Sequence, residues 1–167
     1  MNKIFKIIAF ICVLSGCGFK PLYYKDNIAH NDIFIKPIPD FLGQQLRFEL
    51  RDKLSPAGFP KNPTYYLEVK LEKKLLEKQA FRSDATATRN TMQLTAKFSL
   101  IKDGEIIFKD IAYSRSSYDI LKNPYATLSS QKDSEKNMII LLAEKIALRV
   151  DVFLKNDARN IEHEKEK

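Results

Sequence analysis

Thr91-Met92-Gln93-Leu94-Thr95-Ala96-Lys97-Phe98-Ser99-Leu100 alternates apolar and polar residues without a break, and its reading decides the fold. In an extended chain Met92, Leu94, Ala96, Phe98 and Leu100 point one way and Thr91, Gln93, Thr95, Lys97 and Ser99 the other, the pattern of a strand with one buried face. Asp103-Gly104 follows, a pair suited to a tight hairpin, and Ile106 to Tyr118 reads as the return strand, less regular around Asp110. Upstream, Tyr65, Leu67, Val69 and Leu71 alternate with Tyr66, Glu68, Lys70 and Glu72. This predicts another half-buried strand, continuing to Gln79 through a phase slip near Lys73-Lys74. The polar stretch Arg82 to Asn90 separates the two.

On either side of these strands the period changes. Ile33-Phe34-Ile35-Lys36-Pro37-Ile38 is a short β-type run that Pro37 marks as an edge or an early stop. Asp40 is placed to N-cap a helix in which Leu42, Leu46, Leu50 and Leu54 recur every four residues, with Phe48 beside them. Ser55-Pro56-Ala57-Gly58 ends it. Asn123-Pro124 breaks the chain after the last strand. Ser130-Gln131-Lys132-Asp133 resembles a capping box and opens a long helix to about Leu154, with a wide apolar stripe from Met138 to Leu142 and on through Ile146, Val150 and Phe153. The order β-α-β-β-β-α predicts an α+β fold over residues 33–155, a two-layer sandwich with two helices packed on a mainly antiparallel four-stranded sheet. Residues 156–167 read as a charged, flexible tail.

The whole chain has 167 residues, enough for one domain. With 44% hydrophobic and 29% charged residues it is not a polytopic membrane protein, a collagen-like chain or a wholly disordered one. Twenty-eight Lys and Arg against 21 Asp and Glu give a charge of +7, which favours anionic partners without choosing among nucleic acid, phospholipid and phosphorylated glycolipid. Two histidines and two cysteines leave few parts for catalysis, so an enzyme is not expected. No nucleic-acid-binding signature is present, and Tyr65 and Tyr66 near Lys70 and Lys73 read as strand formers rather than base-stacking platforms.

The N-terminus carries Lys3 and Lys6, then the apolar run Ile7 to Leu14, then Ser15-Gly16-Cys17. These are the three regions of a secretory signal, here residues 1–16. Leu14-Ser15-Gly16-Cys17 resembles a bacterial lipobox. The resemblance implies that Cys17 becomes the first mature residue, carrying diacylglycerol on sulfur and an acyl chain on nitrogen, with residues 17–32 as a lipidated tether. Two or more acyl chains anchor stably where one does not. Gly18, not an acidic residue, follows the cysteine and points to the outer membrane, periplasmic side. Cys12 leaves with the signal, so no thiol remains for a disulfide, a nucleophile or a metal. His30 and His163 have no partners at metal-ligand spacing and read as solvated. No cofactor beyond the lipid is expected.

Leu14 to Cys17 followed by Gly18-Phe19-Lys20-Pro21-Leu22-Tyr23 is similar to the start of the LptE family of lipopolysaccharide-assembly lipoproteins, particularly its alphaproteobacterial form. Ser117-Tyr118-Asp119 through Asn123-Pro124-Tyr125-Ala126-Thr127-Leu128, then Ser134-Glu135, also resembles that family, as does Asp84 to Arg89 before a strand. The resemblance implies a tight complex with an LptD-type outer-membrane β-barrel, with the lipoprotein as plug and assembly partner for lipopolysaccharide insertion into the outer leaflet, and contact with lipopolysaccharide itself.

Charge marks Lys70, Lys73, Lys74 and Lys78, with Arg82 and Arg89, as candidate contacts for lipopolysaccharide phosphates. The same lysines could simply keep a solvated strand from pairing edge to edge, and Glu68, Glu72 and Glu77 dilute them. Tyr125 and Leu128 suit contact with a barrel wall or a plain turn. The competing function is a periplasmic lipoprotein that binds a soluble anionic ligand or serves another envelope machine.

Overall fold

In the computed structural model, which describes residues 32–81 and 87–165, the elements follow the predicted order. They are β1 (Ile33–Ile35), α1 (Phe41–Leu54), β2 (Tyr65–Phe81), β3 (Ala87–Lys102), β4 (Glu105–Asp119) and α2 (Pro124–Lys165). The four strands form one sheet in sequential order. β1 runs parallel to β2, and β2–β3 and β3–β4 are antiparallel.

Strand parity sorts the sheet into two faces. Register pairs Leu67 with Leu100, Val69 with Phe98, Leu94 with Ser114 and Ala96 with Ala112. Side chains directly opposite in a ladder share a face, so odd positions of β2 and even positions of β3 and β4 point inward. There they form one core with Leu46, Leu50 and Leu54 of α1 and Met138, Ile139, Leu142, Ala143, Ile146 and Val150 of α2. The leucine stripe and the apolar run of α2 thus bury against the same side of the sheet. The other side has no helix over it among the described residues.

The local chemistry explains the element ends and several departures from expectation. Asp103 (φ 51) and Gly104 (φ 86) both take the positive φ that a type I′ hairpin requires. The irregularity in β4 falls at Ile107, between the pairs Leu100–Phe108 and Ile101–Ile106, not at Asp110. Asp110 keeps register opposite Phe98 and meets Arg149 of α2 at 2.7 Å. β2 runs in register through Lys73 and Lys74, and its bulge lies further on, between Leu76 and Ala80. β1 stops at Ile35, and the Lys36 N–H makes the last bond to β2, to the Leu67 carbonyl at 2.9 Å.

Asp40 precedes α1, but its side chain makes no capping bond. The Gln44 side-chain amide reaches back to the Ile38 carbonyl instead. Phe48 is not part of the leucine stripe. It points away from the core with the Arg51 guanidinium 5.0 Å from its ring. The helix α2 starts at Pro124, where the Asn123 side chain accepts the Tyr125 N–H at 2.9 Å. Asn at the cap and Pro at the first helical position are a favourable pair, so Asn123-Pro124 starts the helix and Ser130 lies inside it. The helix continues to Lys165, through most of the segment expected as a frayed tail.

Candidate functional site

The uncovered face of the sheet is built by the outward positions of three strands. Register sets Glu68, Ser99 and Lys109 in one row, then Lys70, Lys97 and Ile111, then Glu72, Thr95 and Tyr113, then Lys74, Gln93 and Arg115. Side chains of the first two rows line an open trough of about 600 Å³. At one end of the same face Phe34 packs against Phe59 (5.2 Å between centroids) and Tyr66 (5.9 Å), and Phe59 and Tyr66 remain partly exposed. The face therefore offers aromatic surface beside a lysine-lined trough.

The lysines are not equivalent. Lys97 meets Glu72 at 3.1 Å, and Lys36 meets Glu68 at 2.9 Å. The hydrogen bond and charge of Lys97, helped by the charges of Lys70 and Lys74, hold the Glu72 carboxyl below the ordinary glutamate value against the opposing effect of desolvation. Lys70, Lys74 and Lys109 have no carboxylate within 4 Å among the described residues, so their charge is available to an anion. An ammonium group on a flexible stem suits a phosphate approached from solvent.

The basic stretch singled out from the sequence is divided by this geometry. Lys70 and Lys74 stand on the uncovered face. Lys73 leaves β2 on the helix side, opposite Leu94, and its ammonium donates to Glu135 of α2 at 2.5 Å. Burial pushes the Glu135 carboxyl up, but hydrogen bonds from Gln131 and Lys73, with the charges of Lys73 and Lys132, outweigh it and leave the group below the ordinary value. Arg89 is held by Asp119 at 3.0 Å. Cys17, His30 and Arg82 and the side chains of Lys78 and His163 lie outside the described residues. Tyr125 (80% exposed) and Leu128 (45%) both stand on the first turns of α2. Lys97 and Lys109 were not singled out by sequence. Lys97 carried the signal of a polar position in the alternating strand, but only the register places both beside Lys70.

A helix-backed sheet whose other face, uncovered among the described residues, carries Lys70, Lys74, Lys97 and Lys109 has a geometry suited to binding. A sequence profile for LptE, lipopolysaccharide-assembly, matches residues 30–150. The chain belongs to the LptE family and is a lipopolysaccharide-assembly lipoprotein. Solved structures share the fold. A lipoprotein from Caulobacter crescentus CB15 is 20% identical with a TM-score of 0.60, over 76% of this chain and 93% of that one. A minor lipoprotein from Acinetobacter baumannii is 17% identical at 0.58, over 73% and 92%. Rare lipoprotein B from Shewanella oneidensis is 13% identical at 0.55, over 76% and 98%. No curated protein matches the chain significantly.

Proposed function

We propose that this chain is anchored at the periplasmic side of the outer membrane by acyl chains on Cys17 and acts there as plug and assembly partner of an LptD-type β-barrel. In this reading lipopolysaccharide lies against the uncovered sheet face, with Lys70 and Lys109 holding its phosphates, the Lys97–Glu72 pair between them and Tyr66 and Phe59 beside its sugars. The observation that carries it is the lysine-lined trough on the face of the sheet that no helix covers among the described residues. Family membership supports the pathway, and the exposure of Tyr125 and Leu128 supports a barrel contact at the start of α2.

Three measurements test it. Lipidated full-length protein, purified from its own envelope in mild detergent, should retain a large outer-membrane barrel at near-equal stoichiometry by mass spectrometry. Cys17→Ala should abolish incorporation of labelled palmitate into the protein. Lys97→Glu combined with Lys109→Glu should weaken lipopolysaccharide binding by at least about tenfold. Unchanged binding by that variant would rule out the trough, and a barrel-free eluate would rule out the complex.

A further inference from the structure

The two edges of the sheet are finished differently. Along β4, carbonyls that point away from β3 are taken up by α2: the Lys145 ammonium donates to Tyr113 O at 2.9 Å, the Arg149 guanidinium to Ile111 O at 2.7 Å, and Ser134 Oγ to Ser117 O at 3.4 Å. Along β2, outward groups alternate with those bonded to β3. Tyr65 N–H binds Asp32 O and Leu67 O binds Lys36 N–H, which fixes the odd residues as the outward ones. β1 covers only Tyr65–Leu67. The N–H and C=O groups of Val69, Leu71, Lys73 and Leu75 therefore face outward with no strand or side chain bonded to them among the described residues. The bulge after Leu76 closes this window. It is long enough for an average strand.

Natural edges are usually blunted by being short, bulged or studded with lysine. Here Lys73 is drawn off the edge by Glu135, and Leu75 stands 63% exposed on the inward side of the window. Lys70 and Lys74 remain, both on the outward side. A second copy fits this window less well than a short strand. Antiparallel pairing of two β2 strands about any residue from Val69 to Lys74 runs the far end of one β2 into the β1 of the other. A short foreign strand has no such continuation.

We propose that the edge from Val69 to Leu75 takes up an extended acidic segment of a partner protein as an additional strand. Backbone bonds to the four odd residues supply affinity. Acidic residues at two positions four apart lie opposite Lys70 and Lys74, with a neutral residue opposite Glu72. Apolar residues at the alternate positions lie opposite Val69 and Leu71 and cover Leu75.

The test uses the full chain in detergent and a synthetic acetylated peptide Val-Glu-Val-Thr-Val-Glu-Val. The peptide should bind and slow amide exchange at Val69, Leu71, Lys73 and Leu75. Lys70→Glu with Lys74→Glu should weaken it at least about tenfold, because two cross-strand pairs change from attractive to repulsive. N-methylation of the edge-facing peptide amides should abolish binding. Lys109→Glu, two strands in from the edge, should weaken lipopolysaccharide binding and leave the peptide unchanged, so the two readings fail separately. Equal binding of a peptide with lysine in place of glutamate, or protection away from β2, would overturn the assignment. So would concentration-dependent protection of the same amides without peptide, which would mark a second copy of the chain as the occupant.

Discussion

Lys73 and Lys74 are neighbours in sequence and lie on opposite sides of the sheet, and the charges they meet differ accordingly. Lys73 meets Glu135, whose carboxyl titrates below its ordinary value of 4.5. A carboxylate with a depressed folded value stabilises the fold fully above the unfolded value, and the contribution is lost as pH falls through the folded one. Glu135→Gln should therefore flatten the dependence of melting temperature on pH below about pH 4.5 and leave the Lys70 and Lys97 rows untouched. An unchanged slope in that window would show that Lys73 and Gln131 do not hold the carboxylate. Gly43 is the other residue whose surroundings decide its identity. A Cβ there would stand 2.7 Å from Ile38 Cγ2 and 3.1 Å from the Ile38 carbonyl carbon and oxygen. Alanine is the better helix former by about 1 kcal/mol, but overpacking against backbone costs about 1–3 kcal/mol. Gly43→Ala is expected to lower stability in urea titrations. A gain would mean that the turn between β1 and α1 can move aside.

Among the elements, α2 is longer than the layer it covers. Its 42 residues span about 63 Å. The last aromatic contact is Phe153 stacked on Phe108 at 4.6 Å. Beyond Leu154 the described side-chain bonds are local, from Lys155 to Asp151 and from Arg159 to Asn156 and the Lys155 carbonyl. A chain stopped after Leu154 should match the full chain within about 0.5 kcal/mol, the worth of an exposed ion pair. Phe153→Ala should cost up to about 3 kcal/mol. Denaturant melts followed by circular dichroism separate the two, and a large loss on truncation would place an unrecognised contact on the distal turns. The stripe that docks α2 was legible because six of its apolar residues repeat at helical spacing. Its start was not, because Ser130 mimics a cap and Asn123-Pro124 reads equally as a breaker and as an opener. Phe48 misleads for a related reason. Apolar character does not fix direction, and two positions past Leu46 a side chain has turned to the opposite side of the helix.

At the scale of the whole molecule, alternation in β3 was enough to give the sheet, and the helical stripes gave its covered side. The candidate site was harder to read. Lys70, Lys73 and Lys74 form a cluster only along the chain, and the two-residue period of β2 divides them. Lys97 and Lys109 join Lys70 through cross-strand register, which is fixed by the hairpins and bulges together and not by any one segment. The finished sheet also has a mechanical character. Tension on the chain ahead of Asp32 enters the fold at β1, which is held by a three-residue parallel ladder on β2, flanking backbone bonds at Asp32 and Lys36, the Ser55 hydroxyl and Arg47 guanidinium on the Ile33 and Ile35 carbonyls, and the burial of Ile33 and Ile35. The β2–β3–β4 meander is not in that line of force. A pull from the N-terminal side would peel β1 first, like the tab of a seal, and leave the three long strands and α2 as an intact body.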